Sequence, residues 1–310
     1  MQEIETFKLA NNVIVPSIGL GTYPMRGQQL KAVLKETYDI GYRMIDTADN
    51  YHNESDIGEF LKQLYSKSDA KRENFFLISK LSDDLYSPNE PGGGLNKGLY
   101  FWKNSAIMQG EGAVHRVVKK KVEESLSNLN TNYLDLLLMH WPYPDFFEEI
   151  WYEMERLYKD GVVRAIGVCN CRERHLEQLL KSCCIVPMVN QIETSPINTK
   201  ESLLEYCREK KIQVMVYSPL QSLKIVDNAS GYKTTLCELN KKYNKEYAQI
   251  ILRYNYQRGL ISLPKSSNKE RLRTNIDIYD FNISESDMLL LNKCNYNRAY
   301  LPESKSCPGV

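Results

Sequence analysis

An excess of either charge is missing from this chain: 40 basic residues stand against 39 acidic ones, a formal net charge of +1. Nothing in that balance calls for a nucleic acid or an anionic membrane surface as partner, which leaves a small molecule as the expected substrate and implies no partner protein. Long apolar runs are missing too. None approaches the roughly 20 residues of a bilayer span, and MQEIETFKLANNV does not read as a basic-then-apolar leader, so a cytoplasmic protein without a membrane span is expected. Paired cysteine motifs are absent. The eight cysteines (169, 171, 183, 184, 207, 237, 294 and 307) contain no CxxC, which favours reduced thiols over a disulfide framework. Histidine is scarce: His52, His115, His140 and His175 form neither HxxxH nor CxxH, so no metal site is expected.

What remains is an ordinary globular composition, 42% hydrophobic and 25% charged over 310 residues. Short β-prone runs alternate with longer amphipathic segments, and eight such runs stand out. They are Ser17 to Gly21, Met44 to Asp46, Phe76 to Lys80, Leu134 to His140, Ala165 to Val168, Met188 to Gln191, Gln213 to Tyr217 and Leu260 to Leu263. Ile150, Trp151, Met154, Leu157 and Tyr158 show the spacing of one apolar helix face. Eight strand-then-helix repeats predict an α/β fold, a (β/α)8 TIM barrel occupying 1–310 as a single domain. TFKLANNVIVPSIG, with Asn-Asn between β-prone residues, predicts an N-terminal β-hairpin on the barrel floor. An open doubly wound sheet needs a glycine-rich first turn, and IGLGTYP lacks its third glycine.

Residues 82–112 interrupt the alternation as a long insertion after the third barrel strand. Six of the 16 glycines lie between Gly92 and Gly112, but GGGLNKG lacks the GxxxxGK[ST] of a phosphate loop. The insertion reads instead as a substrate-side loop whose Tyr100, Phe101 and Trp102 offer an apolar lining.

A barrel of this type builds its active site from the C-terminal ends of its strands. Those ends are polar here: Asp46, Lys80, His140, Cys169-Asn170, Gln191, Tyr217 and, after the last strand, Lys265 and Ser266. Tyr51 follows Asp46 in GYRMIDTADNYHNE. A free tyrosine, with a pKa of about 10, is a poor acid at neutral pH; a neighbouring ammonium lowers that value, and a carboxylate keeps the ammonium charged. Asp46, Lys80 and Tyr51 together therefore make a proton donor, and an uncharged His140 can orient a carbonyl oxygen against the phenol. Protonating that oxygen completes a reduction only if a hydride arrives at carbon, and these side chains hold none, so a nicotinamide cofactor is implied.

The same motifs resemble the aldo-keto reductase family almost end to end. GYRMIDTADNYHNE, FFLISKL, LDLLLMHWP, GVVRAIGVCN, VNQIE, VYSPL and LPKSSNKERLRTN stand in the family's order. The resemblance implies an NADP(H)-dependent oxidoreductase that reduces an aldehyde or ketone to an alcohol, with Asp46, Tyr51, Lys80 and His140 as tetrad and Tyr51 as proton donor. It also implies cofactor contacts from Asn170, Gln191, Tyr217, Ser218 and Leu220 around the nicotinamide half. Lys265, Ser266 and Arg271 would hold the 2′-phosphate, with Asn275 facing adenine, which favours NADPH/NADP+ over NADH. Tyr23, Trp141 and Trp102 would line the substrate pocket, and 295–310 matches the family's C-terminal loop in position only. Three departures stand out: Cys169 where serine is usual, Thr274 before Asn275, and Tyr23 where tryptophan is common. Two other functions use the same parts: an alcohol dehydrogenase working in reverse with NADP+, and a cofactor-binding regulatory subunit with slow chemistry.

Overall fold

The computed structural model describes residues 4–82, 112–143, 146–224 and 231–299. Trp102 and nearly all of the 82–112 insertion, like residues 300–310 of the tail, lie outside the described residues.

The chain begins with an antiparallel hairpin of β1 (Thr6–Lys8) and β2 (Ile14–Pro16), Phe7 facing Val15. Asn12 turns the loop at φ 70°, a left-handed conformation that asparagine tolerates well, and its N–H donates to the Leu9 carbonyl at 2.9 Å. Leu9 and Val15 pack beneath the sheet against Met44 and Phe76, the first residues of two barrel strands, so the hairpin is the expected floor.

Eight strands follow in one parallel sheet, each beside its sequence neighbours: β3 (Leu20–Gly21), β4 (Met44–Asp46), β5 (Phe76–Leu81), β6 (Leu136–Met139), β7 (Ile166–Cys169), β8 (Val189–Glu193), β9 (Gln213–Tyr217) and β10 (Ile261–Leu263). The first strand returns to the last. The Gly19 N–H donates to the Ser262 carbonyl at 3.0 Å, the Ser262 N–H to the Ser17 carbonyl at 2.9 Å and the Gly21 N–H to the Pro264 carbonyl at 3.1 Å, which closes the barrel. Six strand limits shift from those expected by one or two residues, and Ser17 to Gly21 and Leu134 to His140 shorten more, because their outer residues pair only through single bridges at Ile18 and Leu134.

Helices cover the strands: α1 (Gly27–Ile40), α2 (Glu54–Lys67), α3 (Ala113–Asn128), α4 (Phe147–Lys159), α5 (Glu173–Leu180), α6 (Glu201–Glu209), α7 (Gly231–Tyr243), α8 (Tyr247–Gln257), α9 (Lys269–Ile276) and α10 (Glu285–Asn292). In α4, Ile150, Trp151 and Met154 are buried, while Leu157 and Tyr158 are half-buried. The strands are buried on both faces, and alternate side chains divide between two cores. Met44, Ile78, Leu136, Leu138, Val189, Met215 and Ile261 point inward to fill the barrel. Ile45, Leu77, Leu137, Ile166, Val214 and Val216 point outward to meet the helices.

Candidate active site

That alternation decides which polar side chains meet. Asp46 lies two residues after inward-pointing Met44, Lys80 two after Ile78, His140 two after Leu138, Gln191 two after Val189 and Tyr217 two after Met215. A strand's side chains repeat every two residues, so all five have the inward parity of the barrel core and extend it at its C-terminal mouth. Asn170 has the opposite parity, but it adopts φ 59° just past β7, a turn that asparagine accepts.

Asp46 and Lys80 form a buried ion pair with Nζ 2.7 Å from Oδ1, and Lys80 also donates to the Thr47 carbonyl at 2.8 Å. The second carboxylate oxygen of Asp46 accepts from the Gln191 amide at 2.8 Å. Burial favours loss of the Lys80 proton, but Asp46 and the Tyr51 phenol outweigh it and raise the lysine above its ordinary 10.5. The ammonium lies 4.9 Å from the centre of the Tyr51 ring.

Tyr51 sits in a short 3-10 turn, Asp49–Tyr51, held by a small network. Fully buried Asn53 accepts from the Thr47 hydroxyl at 2.5 Å, and its amide donates to the Thr22 hydroxyl at 3.1 Å and the Met25 carbonyl at 3.0 Å. The expected depression of the tyrosine is only half of the balance. Burial pushes Tyr51 up to about 12, and Lys80 pulls it down without overcoming that effect. The phenol therefore stays protonated, a donor rather than a phenolate.

His140 is held well below its ordinary 6.5 by burial and then by Lys80, so its imidazole is neutral, as expected. Its ring meets Tyr51 edge-on with centroids 5.9 Å apart. Trp141 lies 6.2 Å from His140, and Tyr23 lies 5.0 Å from Tyr51, giving the mouth two aromatic walls. Asn170 donates to the His140 carbonyl at 3.1 Å and accepts from the Tyr217 hydroxyl at 2.9 Å, so its amide is engaged at both ends. Beside Asn170 and Tyr217 lies a small recess with Ile192, Glu193 and Lys200 in its walls. Ser218 (φ 50°) and half-buried Leu220 follow directly after β9.

Lys265, Ser266, Arg271 and Asn275 gather farther round, where β10 runs into α9. The Asn268 side chain caps that helix by accepting the Arg271 N–H at 3.0 Å, and Ser266 accepts the Asn268 N–H at 3.1 Å. Lys265 and Arg271 are exposed, and neither has an ion-pair partner among the described residues. Asn275 is 2% exposed.

Sequence reasoning missed three contributors. Ser82, assigned above to the insertion, has its hydroxyl 2.6 Å from His140 Nδ1. Asp49 accepts the Ser82 N–H at 3.1 Å on both oxygens and pairs with Lys121 at 3.0 Å. Asn53 is the third; its place immediately before α2, a polar residue ahead of a run of helical spacing, is the sequence signal that could have found it.

The aldo/keto reductase family model matches residues 17–296. A glyoxal reductase of Bacillus subtilis is 37% identical across 94% of this chain and 93% of its own, and a methylglyoxal reductase of Escherichia coli is 30% identical across 97% and 98%. Among solved structures, an aldo-keto reductase of Bombyx mori in complex with NADP superposes with a TM-score of 0.81 at 29% identity, covering 98% of this chain and 97% of that one. An aldose reductase of Schistosoma japonicum gives 0.81 at 31% identity, covering 98% and 96%.

Proposed function

The chain belongs to the aldo/keto reductase family, and from that premise we propose that it reduces the carbonyl group of a small aldehyde, ketone or dicarbonyl to an alcohol with NADPH. The observation that carries this reading is the convergence of Asp46, Lys80, Tyr51 and His140 at one barrel mouth, with the phenol protonated and the imidazole neutral. The glyoxal and methylglyoxal reductases among its relatives support dicarbonyls as the first substrates to try.

When bound, NADPH supplies the hydride. Several residues fit it. Lys265, just before α9, and Arg271, in its first turn, are exposed cations without ion-pair partners among the described residues, and with Ser266 they suit the 2′-phosphate. Asn275 would face adenine, while Asn170, Gln191, Tyr217, Ser218 and Leu220 would hold the nicotinamide half. Asn170 and Gln191 are already fixed by Tyr217 and Asp46, so they would meet it in set orientations.

Tyr51 and His140 would both address the substrate oxygen, Tyr51 giving up its proton as negative charge develops there. Lys80 stabilises the phenolate left behind, and Asp46 keeps Lys80 charged through the step. Tyr23 and Trp141 would exclude water from one side. The same residues run the reaction backward when alcohol and NADP+ are in excess.

The test is NADPH oxidation with methylglyoxal or a reactive aromatic aldehyde. Tyr51→Phe is expected to lose at least about 100-fold in kcat while keeping its affinity for NADPH. A mutant that turns over like the parent would sink the mechanism.

A further inference from the structure

We propose that the Asp49–Lys121 ion pair is a positioning device for Tyr51: by tying the turn that carries the phenol to β5 and α3, it fixes where the proton donor stands beside Lys80. The proposal rests on the role given to Tyr51 above and adds what holds that residue in place.

Tyr51 ends a turn of three residues, and its N–H donates to the Ala48 carbonyl at 3.1 Å. A 3-10 turn this short has little stability of its own, so its flanks set its position. Two residues after Tyr51, Asn53 bonds to Thr47, Thr22 and Met25. Next to it, buried Glu54 accepts from the Ser79 hydroxyl at 2.7 Å and hydrogen-bonds with Ser125 and Asn128. Two residues before Tyr51, Asp49 is the anchor. Its two oxygens accept the Ser82 N–H at 3.1 Å, the Ser82 side chain hydrogen-bonds it as well, and Lys121 pairs with it at 3.0 Å. Ser82 stands two residues after Lys80, with its hydroxyl 2.6 Å from His140 Nδ1, so Asp49 joins the Tyr51 turn to the strand end that presents Lys80.

Lys121, Ser125 and Asn128 recur at i, i+4 and i+7 of α3, and that single face holds the 49–54 segment at both ends. Lys121 sits beside buried Val118, Val122 and Ser125, an unfavourable place for a cation without a carboxylate to meet. The two side chains are 13% and 12% exposed. Burial raises the Asp49 carboxyl above its ordinary 3.8, and Lys121 is the foremost influence holding it down. Such a pair adds little net stability, because lost hydration offsets the attraction. What it does add is a fixed position for the turn. Without the ammonium, the carboxylate gains by turning toward water, and Tyr51 moves with it.

The test labels tyrosine Cζ with carbon-13 in the full chain, without substrate or cofactor, and identifies the Tyr51 signal by its loss in Tyr51→Phe. Lys121→Met is expected to shift or broaden that signal. It should also lower kcat for methylglyoxal about tenfold at unchanged NADPH affinity, the scale of loss that a small displacement of a reacting group brings. Lys121→Arg keeps the charge, and Lys121→Met with Asp49→Asn removes both charges while leaving an amide oxygen for the Ser82 N–H. Both are expected to return the signal to the parent's position and kcat to within about threefold of it. A methionine variant with the parental signal, or with kcat within about twofold, refutes the proposal. So does a double variant as impaired as the single one. Should Lys121→Met fail to fold, Lys121→Gln carries the same test. Failure of the unmodified protein to reduce any carbonyl would instead refute the function, and the Tyr51 signals alone would then decide the positioning.

Discussion

Replacing Lys80 by methionine preserves its length and removes its charge, which isolates what the Lys80–Asp46 pair does. Both side chains are nearly dry, 0% and 6% exposed, and 2.7 Å apart. At an effective dielectric of about 20 their attraction is about 6 kcal/mol, and the removal of two ions from water offsets most of it, so the intact pair adds little net stability. Breaking it is another matter. Lys80→Met leaves the Asp46 carboxylate buried with only the Gln191 amide as a side-chain partner among the described residues, an expected loss of about 3–5 kcal/mol. Asp46→Asn strands the ammonium and is expected to lose a similar amount. The double variant removes both charges, and most of the stability should return, with a coupling energy of at least about 2 kcal/mol in guanidinium unfolding. Activity should not return. Without Lys80 the phenolate of Tyr51 has no cation 4.9 Å away, and the stable double variant stays a poor reductase. Single losses that simply add, or a double variant with parental turnover, refute the reasoning.

Three further outcomes are expected. Arg271→Ala should cut the preference for NADPH over NADH roughly tenfold or more in binding titrations, since a charge-assisted contact to phosphate is lost; equal binding of both cofactors by the parent would refute a phosphate site there. The pH profile of kcat/KM should be flat from about pH 6 to about pH 9. His140 is lowered, so it gains a proton only well under 6.5, and Tyr51 is raised to about 12, so it keeps its proton above the ordinary value; a break near 6.5 would show that the imidazole titrates normally. Gly58→Ala should destabilise by about 1–3 kcal/mol despite the better helix former. The added Cβ would stand 2.1 Å from the Asn128 carbonyl oxygen and 2.7 Å from the Leu129 carbonyl carbon, backbone atoms at the end of α3, and a thermal midpoint at or above the parent's would contradict this packing.

The sequence by itself determined the eight-fold alternation, the hairpin before it and the polar character of the strand ends, because each is a local property. Period two against period 3.6, an Asn-Asn turn and a polar residue after an apolar run can all be read within a few residues. That Asp46, Lys80 and His140 stand at strand ends was legible for the same reason, whereas Tyr51 lies in the turn after β4 and was tied to them by the family resemblance.

The balance of charge at the mouth was decided only in three dimensions. Tyr51 was expected to fall under the influence of Lys80, yet burial raises it, because desolvation depends on everything packed around the phenol. Ser82 reads as the first residue of an insertion and becomes the partner of His140 only because β5 and β6 lie side by side, pairing Leu81 with Met139. Asn170, with the wrong parity for the mouth, reaches it through a left-handed turn, and Gln191 finds Asp46 from 145 residues away. Chain order fixes which residues end strands, but closure of the sheet through Ser17, Gly19 and Ser262 sets the distances between them. Those distances and the water excluded there decide which of the polar side chains pair and which stay neutral.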